Sequence, residues 1–188
     1  MMEPNLKALA PFDIHSRCRK HLLFVHPLGA AHVAPDIRRM AATGYPVEWN
    51  HIGEGGAETS DYGFDALISA KRSWPDIHDS DALRTYLEDQ PMGTHLYITA
   101  PWGWGRSIVR LAETVGYAKE DIQVRGFGQK YHQVFCIACY TTNPIDNAST
   151  VTCRQCGRVI SVSDHYSPRW DAVMGYPILD NVTKKGNT

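Results

Sequence analysis

The chain has no apolar run near the ~20 residues that a membrane-crossing helix needs. Its opening segment carries no apolar stretch of the kind that marks a secretory leader. It lacks a charge surplus too: 19 Lys and Arg stand against 20 Asp and Glu, a formal net charge of -1. A dedicated nucleic-acid binder needs cations to neutralise phosphates, so that class is set aside. There are no repeats and no low-complexity tracts. Outside one short segment cysteine occurs once, at Cys18, so a disulfide framework is not expected. The expectation is a cytoplasmic protein with no membrane and no nucleic-acid partner.

Hydrophobic residues make up 43% of the 188, enough for a packed core. Residues 1–20 read as an N-terminal arm without periodicity, a solvated approach to the first strand. From 21 to 129 strand and helix patterns alternate. HLLFV (21–25) is a short apolar run suited to a strand buried on both faces. PDIRRMAAT reads as a helix with Pro35 in its first turn and Gly44 past its end. PVEWNHI is a second strand, followed by a loop at Gly53, Gly55 and Gly56. DYGFDALISAK (61–71) is a helix candidate and WPDIH (74–78) a short third strand. SDALRTYLED is a helix for Asp79 or Ser80 to cap. THLYITA is the fourth strand, a helix follows with Ile108, Leu111, Ala112 and Val115 on one face, and IQVRGF is the fifth strand. Five such alternations predict an α/β fold, a five-stranded parallel sheet with ligands held at the carboxyl ends of its strands.

The segment 130–165 changes character. Cys136, Cys139, Cys153 and Cys156 form C-x2-C-x13-C-x2-C within a pair of short hairpins. Each CxxC places two thiolates on one side of a tight turn, and two facing turns make a tetrahedral four-sulfur site. Gly157 suits its turn; Tyr140 occupies the matching place after Cys139. Such a closed site is structural by default, with zinc favoured and iron the lesser choice. Residues 166–188 read as a docking tail, in which Arg169 and Trp170 meet a neighbour.

Other residues weighed for chemistry take bland readings. His26 and His32 read as surface residues, and Arg38 and Arg39 as a solvated helix face. Asp164, His165 and Tyr166 stand side by side with no nucleophile paired to them. Cys18 reads as an ordinary free thiol. No catalytic residue is assigned.

Residues 93–128, GTHLYITAPWGWGRSIVRLAETVGYAKEDIQVRGFG, resemble the pyridine-nucleotide domain of the ferredoxin reductase family, its phthalate dioxygenase reductase branch above all. The resemblance rests on the spacing from Tyr97 through Pro101 and Gly116 to Phe127. It implies cofactor contacts at Gly29, Thr99, Ala100, Pro101, Trp102, Gly103 and Phe127. The family's cysteine is here Thr99, its glycine Ala100, and its glutamate Arg125. That sheet followed by the cysteine ribbon, VSDHYSPRW and a Met-Gly pair is also similar to the small subunit family of bacterial dimethylamine monooxygenases. This second resemblance implies a haem-containing oxygenase subunit and a flavin/2Fe-2S reductase subunit as partners. The implied reaction is NAD(P)H- and O2-dependent N-demethylation of dimethylamine to methylamine and formaldehyde. Contact with FMN or NAD(P)H would be shared with a partner. Two alternatives stand beside it: a purely structural assembly subunit and a rubredoxin-like iron carrier.

Overall fold

Strands with apolar residues on both faces must be covered on both faces, and this sequence supplies such strands in the middle of a sheet. The structure, a computed structural model, describes residues 10–53, 63–77, 81–146 and 148–178. The chain divides into two compact units after residue 130.

In the first unit β1 (Lys20–Val25), β2 (Val47–Ile52), β3 (Ala70–Trp74), β4 (Thr94–Pro101) and β5 (Ile122–Phe127) form a parallel sheet in the order β3-β2-β1-β4-β5. The three central strands are nearly all buried, and β3 is largely exposed at an edge. Alternate residues of β1 serve opposite faces. Leu22 and Phe24 join Ile98, Leu83 and Ile108; Leu23 and Val25 join Trp49, Tyr97, Ile37 and Met40. α2 (Asp81–Glu88) and α3 (Trp102–Thr114) cover the first face, and α1 (Ala34–Ala41) covers part of the second. Gly44 follows α1 at φ 79, and Gly116 follows α3 at φ 104, both in the left-handed region that favours glycine.

The rest of the second face is closed by the arm. Phe12 is buried, with Tyr97 edge-on at 5.2 Å and the Arg125 guanidinium over its ring at 3.6 Å. Asp36 of α1, 2% exposed, accepts from the backbone N–H of Phe12 and pairs with Arg39 and with the buried Arg125. The side chain of Gln123 pairs with the N–H and the carbonyl of Asp13 much as a neighbouring strand would. The arm at 10–18, expected to be solvated, is thus anchored at Phe12 and Cys18, while Ala10, Pro11, Asp13, Ser16 and Arg17 remain exposed. Arg39, though half-exposed, is tied to Asp36 and to the Phe12 carbonyl.

Two sequence expectations in this unit are corrected. The helix expected at 61–71 is only a single 3-10 turn, Asp65–Leu67. Ala70 and Lys71 already belong to β3, which ends at Trp74 where that strand was expected to begin. Burial of Phe64 against Trp49 anchors the turn, and the Ser69 N–H bonds to the Val47 carbonyl and starts the pairing. A solvated edge strand such as AKRSW has no apolar pattern to betray it. Gly55, Gly56, Asp61, Tyr62, His78, Asp79 and Ser80 lie outside the described residues.

The second unit is a sheet in the order β7-β6-β10-β9-β8. Its strands are β6 (Gln133–Cys136), β7 (Thr142–Pro144), β8 (Thr150–Thr152), β9 (Val159–Ser167) and β10 (Ala172–Pro177). The two cysteine hairpins are β6–β7 and β8–β9. The segment expected as a docking tail instead supplies the end of β9 and all of β10, the central strand. Gly175 makes that strand possible, because a methyl there would meet Ile160 and Val134 at 2.7 Å each. Asp164, His165 and Tyr166 lie along β9, where the Tyr166 hydroxyl donates to Asp171. Residues 179–188 lie outside the described residues.

Cys18 Sγ lies 3.3 Å from His21 Nε2, and the His21 ring lies 5.6 Å from that of Tyr97. The Thr43 hydroxyl donates to the Met40 carbonyl, so it accepts from His21 Nε2 at 3.0 Å. Burial, together with His95 and His15, pushes His21 down to about 4. Burial pushes the Cys18 thiol up.

Two measurements check this packing. Asp36→Asn leaves Arg125 buried without its counter-charge and should cost about 3 kcal/mol in urea unfolding. Because the His21 pKa is depressed on folding, its contribution is complete above pH 6.5 and is lost as pH falls from there towards 4. Unfolding at pH 7 and pH 5 should differ by about 2 kcal/mol from this residue, and His21→Gln should flatten that dependence.

Candidate functional site

The four cysteine sulfurs of the second unit converge, all within 4.8 Å of one another. Cys136 and Cys156 are 3.9 Å apart, Cys139 and Cys153 3.5 Å. A tetrahedral metal with bonds of ~2.3 Å spaces its sulfurs by about 3.8 Å. The donor set therefore fits a tetrahedral thiophilic ion. Cys136 and Cys153 are buried, and Cys139 and Cys156 are half-buried.

The two turns are built alike. The N–H of Cys136 bonds to the Thr141 carbonyl, and that of Cys153 to the Arg158 carbonyl. The N–H groups of Tyr140 and Gly157 return to the carbonyls of Cys136 and Cys153. Tyr140 and Gly157 have φ of 61 and 70, so this turn requires a left-handed residue at that place. Glycine meets the requirement freely and tyrosine against its steric preference. Backbone N–H groups of Cys156 and Gln155, with the Cys139 thiol and the Asn143 amide, overcome burial and bring the Cys153 thiol down to about 6.

Asn143 was not found from the sequence. It is buried on β7 and donates to Cys153 Sγ at 3.5 Å and to the Thr141 carbonyl at 3.2 Å. Its Oδ1 accepts from the Arg154 N–H at 2.8 Å. One side chain thus ties the first hairpin to the second cysteine turn. A lone Asn before a Pro gives no sequence signal for this, since the contact spans ten positions.

The sheet edge of the first unit holds the other expected residues. β1 and β4 pair Val25 with Thr99, and β4 and β5 pair Pro101 with Phe127. Gly29 lies in the 3-10 turn Pro27–His32, against Thr99 and Phe127. Thr99 is fully buried, and its hydroxyl has no hydrogen-bond partner. Ala100 joins the core with Ile98 and Ile108 on the opposite face from Tyr97. Trp102 opens α3, with its indole over the Gly126 backbone and Lys130 Nζ at 4.9 Å from the ring centre. Gly103 faces open space. His26, expected as a surface residue, is half-buried; it caps its turn by accepting from the Leu28 N–H and meets Trp104 and Phe127 edge-on. The structure thus brings Gly29, Thr99 and Phe127 together, joins Pro101 to Phe127, and directs Ala100 elsewhere. A cavity of 210 Å³ lies at the other end of β4, beside Thr94, Tyr117 and Asp121.

Removing the Asn143 bridge should loosen metal binding without abolishing the site. Asn143→Ala is expected to weaken affinity about tenfold in a competitive chelator titration. Cys153→Ser should abolish stoichiometric binding in the same assay.

Residues 133–176 match the dimethylamine monooxygenase subunit DmmA-like C-terminal domain, a stretch that contains all four cysteines. Over 103 residues the chain is 29% identical to the heme-dependent oxidative N-demethylase delta subunit of Ectopseudomonas mendocina (strain ymp), which is 54% of this chain and 59% of that one. The chain thus spans under two thirds of that relative's length. Among solved structures it is similar to an intact type IV self-sufficient cytochrome P450 monooxygenase, with a TM-score of 0.50 and 16% identity over 71% of this chain and 19% of that one. It is also similar to phthalate dioxygenase reductase, with a TM-score of 0.48 and 14% identity over 71% of this chain and 46% of that one. No helix among the described residues is long and apolar enough to cross a membrane. The chain is an α/β protein with a five-stranded parallel sheet, and its β-rich C-terminal unit is similar to the DmmA-like family and gathers four cysteines at one point.

Proposed function

We propose that this chain is a small, non-catalytic subunit of a haem-dependent dimethylamine monooxygenase. The observation that carries the reading is the coincidence of the DmmA-like segment with the unit that holds the four-sulfur site. Oxidative N-demethylation would take place on a haem-containing oxygenase subunit, with electrons drawn from NAD(P)H through a flavin/2Fe-2S reductase subunit. The reductase-like sheet of this chain would stand beside that electron-input partner.

Cys136, Cys139, Cys153 and Cys156 would hold the metal, and zinc is the ion we assign. A metal held by four protein thiolates has no position for substrate, so it supplies structural cross-linking. The protein's own part is to hold the sulfurs: N–H groups of Gln155 and Cys156 stabilise Cys153, and Asn143 joins the two hairpins. The unit has a small core, centred on Val134, Ile160 and Val173, so it depends on such a staple.

Gentle purification of the tagged protein from its host tests the reading. Two larger chains, a haem Soret band and flavin absorption should accompany it. A colourless single chain at full recovery would sink the subunit assignment. Metal analysis of the same sample should return one zinc per chain, whereas a red, iron-loaded protein would favour an electron carrier.

A further inference from the structure

Glycines at the strand ends of a nucleotide-binding sheet serve by leaving room for the ligand. Here Gly29 and Gly126, at the carboxyl edge, have that room taken by the chain's own side chains. A methyl on Gly29 would lie 2.5 Å from Thr99 Cγ2 and 3.4 Å from Phe127 Cε1. A methyl on Gly126 would fall within the Trp102 indole, 2.1 Å from Cδ2 and 2.4 Å from Cε2. Thr99 and Ala100 are fully buried, and Phe127 is 5% exposed.

The neighbouring residues reinforce the closure. Arg125, next to Gly126, is drawn to Asp36 and stacked on Phe12, so its guanidinium is already engaged within the fold. His26 turns its ring towards Trp104 and Phe127 and spends Nδ1 on the Leu28 N–H. Lys130, the cation beside Trp102, sits over the indole face, and its carbonyl accepts from Arg106.

We infer that this strand end is sealed: Thr99 and Trp102 occupy the space that a nicotinamide or flavin ring would need, and the chain itself binds neither NAD(P)H nor FMN. Of the residues that the reductase resemblance marks for cofactor contact, Thr99, Ala100 and Phe127 are interior packing, Gly29 is filled against, and Trp102 is an aromatic cap; Pro101 and Gly103 stay half-buried. Under the subunit proposal, nucleotide and flavin would then belong wholly to a partner chain. The seal itself goes beyond the subunit proposal and does not depend on it.

Two measurements on the full chain test the seal. Calorimetric titration with NADH, NADPH and FMN to about 1 mM should give no saturable heat; binding at about 100 µM or tighter would overturn the inference. The second is a thermal-melt cycle on Gly29 and Thr99. Gly29→Ala should lower Tm by about 4 °C, and adding Thr99→Ser, which deletes the obstructing methyl, should recover at least half of that relative to Thr99→Ser alone. An unchanged Tm in Gly29→Ala, or no recovery in the double variant, would mean that Thr99 does not fill the glycine's space and would overturn the seal. A positive titration leaves the subunit proposal standing. Failure to co-purify with haem and flavin chains would sink that proposal and leave the seal untouched.

Discussion

Asp36 is the point on which one face of the sheet closes. A parallel sheet with apolar residues on both faces needs cover on both. α2 and α3 cover one face, while α1 reaches only part of the other. The remainder, over Tyr97 and β5, falls to an arm with no regular structure of its own. That arm stays in place because a single buried carboxylate accepts from its Phe12 N–H and binds Arg39 and Arg125. Arg125 in turn stacks on Phe12 and reaches the Ala10 carbonyl. A charge buried with two guanidinium partners and a backbone donor is well satisfied, and each partner is tied to a different element.

The second unit solves the same problem of insufficient cover by other means. Its core is small, and its outer strands, β7 and β8, are three residues each. Two copies of one turn, each with a left-handed residue after its second cysteine, aim four sulfurs at one point. Asn143 and Gly175 complete the arrangement from opposite directions. One fastens the hairpins through hydrogen bonds, and the other lets β10 lie between β6 and β9 without a side chain in the way.

The contrast between the two units bears on the chain's role. The first is a parallel sheet in the order β3-β2-β1-β4-β5, with its own side chains in the clearances of Gly29 and Gly126. The second keeps a donor set that fits a metal. If the proposed subunit role holds, such a chain would contribute surfaces and rigidity to an assembly whose redox groups are carried elsewhere.

Much of this was legible in the residues themselves. The central strands announced themselves as apolar runs, and the helices through Pro35, Gly44 and Gly116. The spacing of the four cysteines announced their convergence. These signals are local: period, capping and knuckle spacing act over a few residues. What escaped was set by distant partners. β3 carries a polar sequence that becomes a strand only by pairing with β2. β10 looked like a tail because its pattern is short and its neighbours, β6 and β9, are brought to it by the fold. Arg39 is on an exposed helix face as its pattern suggests, but its ties to Asp36 and Phe12 are set by the fold, as is the contact of Asn143 with Cys153 ten residues later. The sequence by itself determined the sheet class and the four-cysteine cluster, because both are encoded in regular spacing. Only the tertiary structure decided that Gly29 and Gly126 face Thr99 and Trp102, since the space beside a glycine depends on which distant side chain packs there.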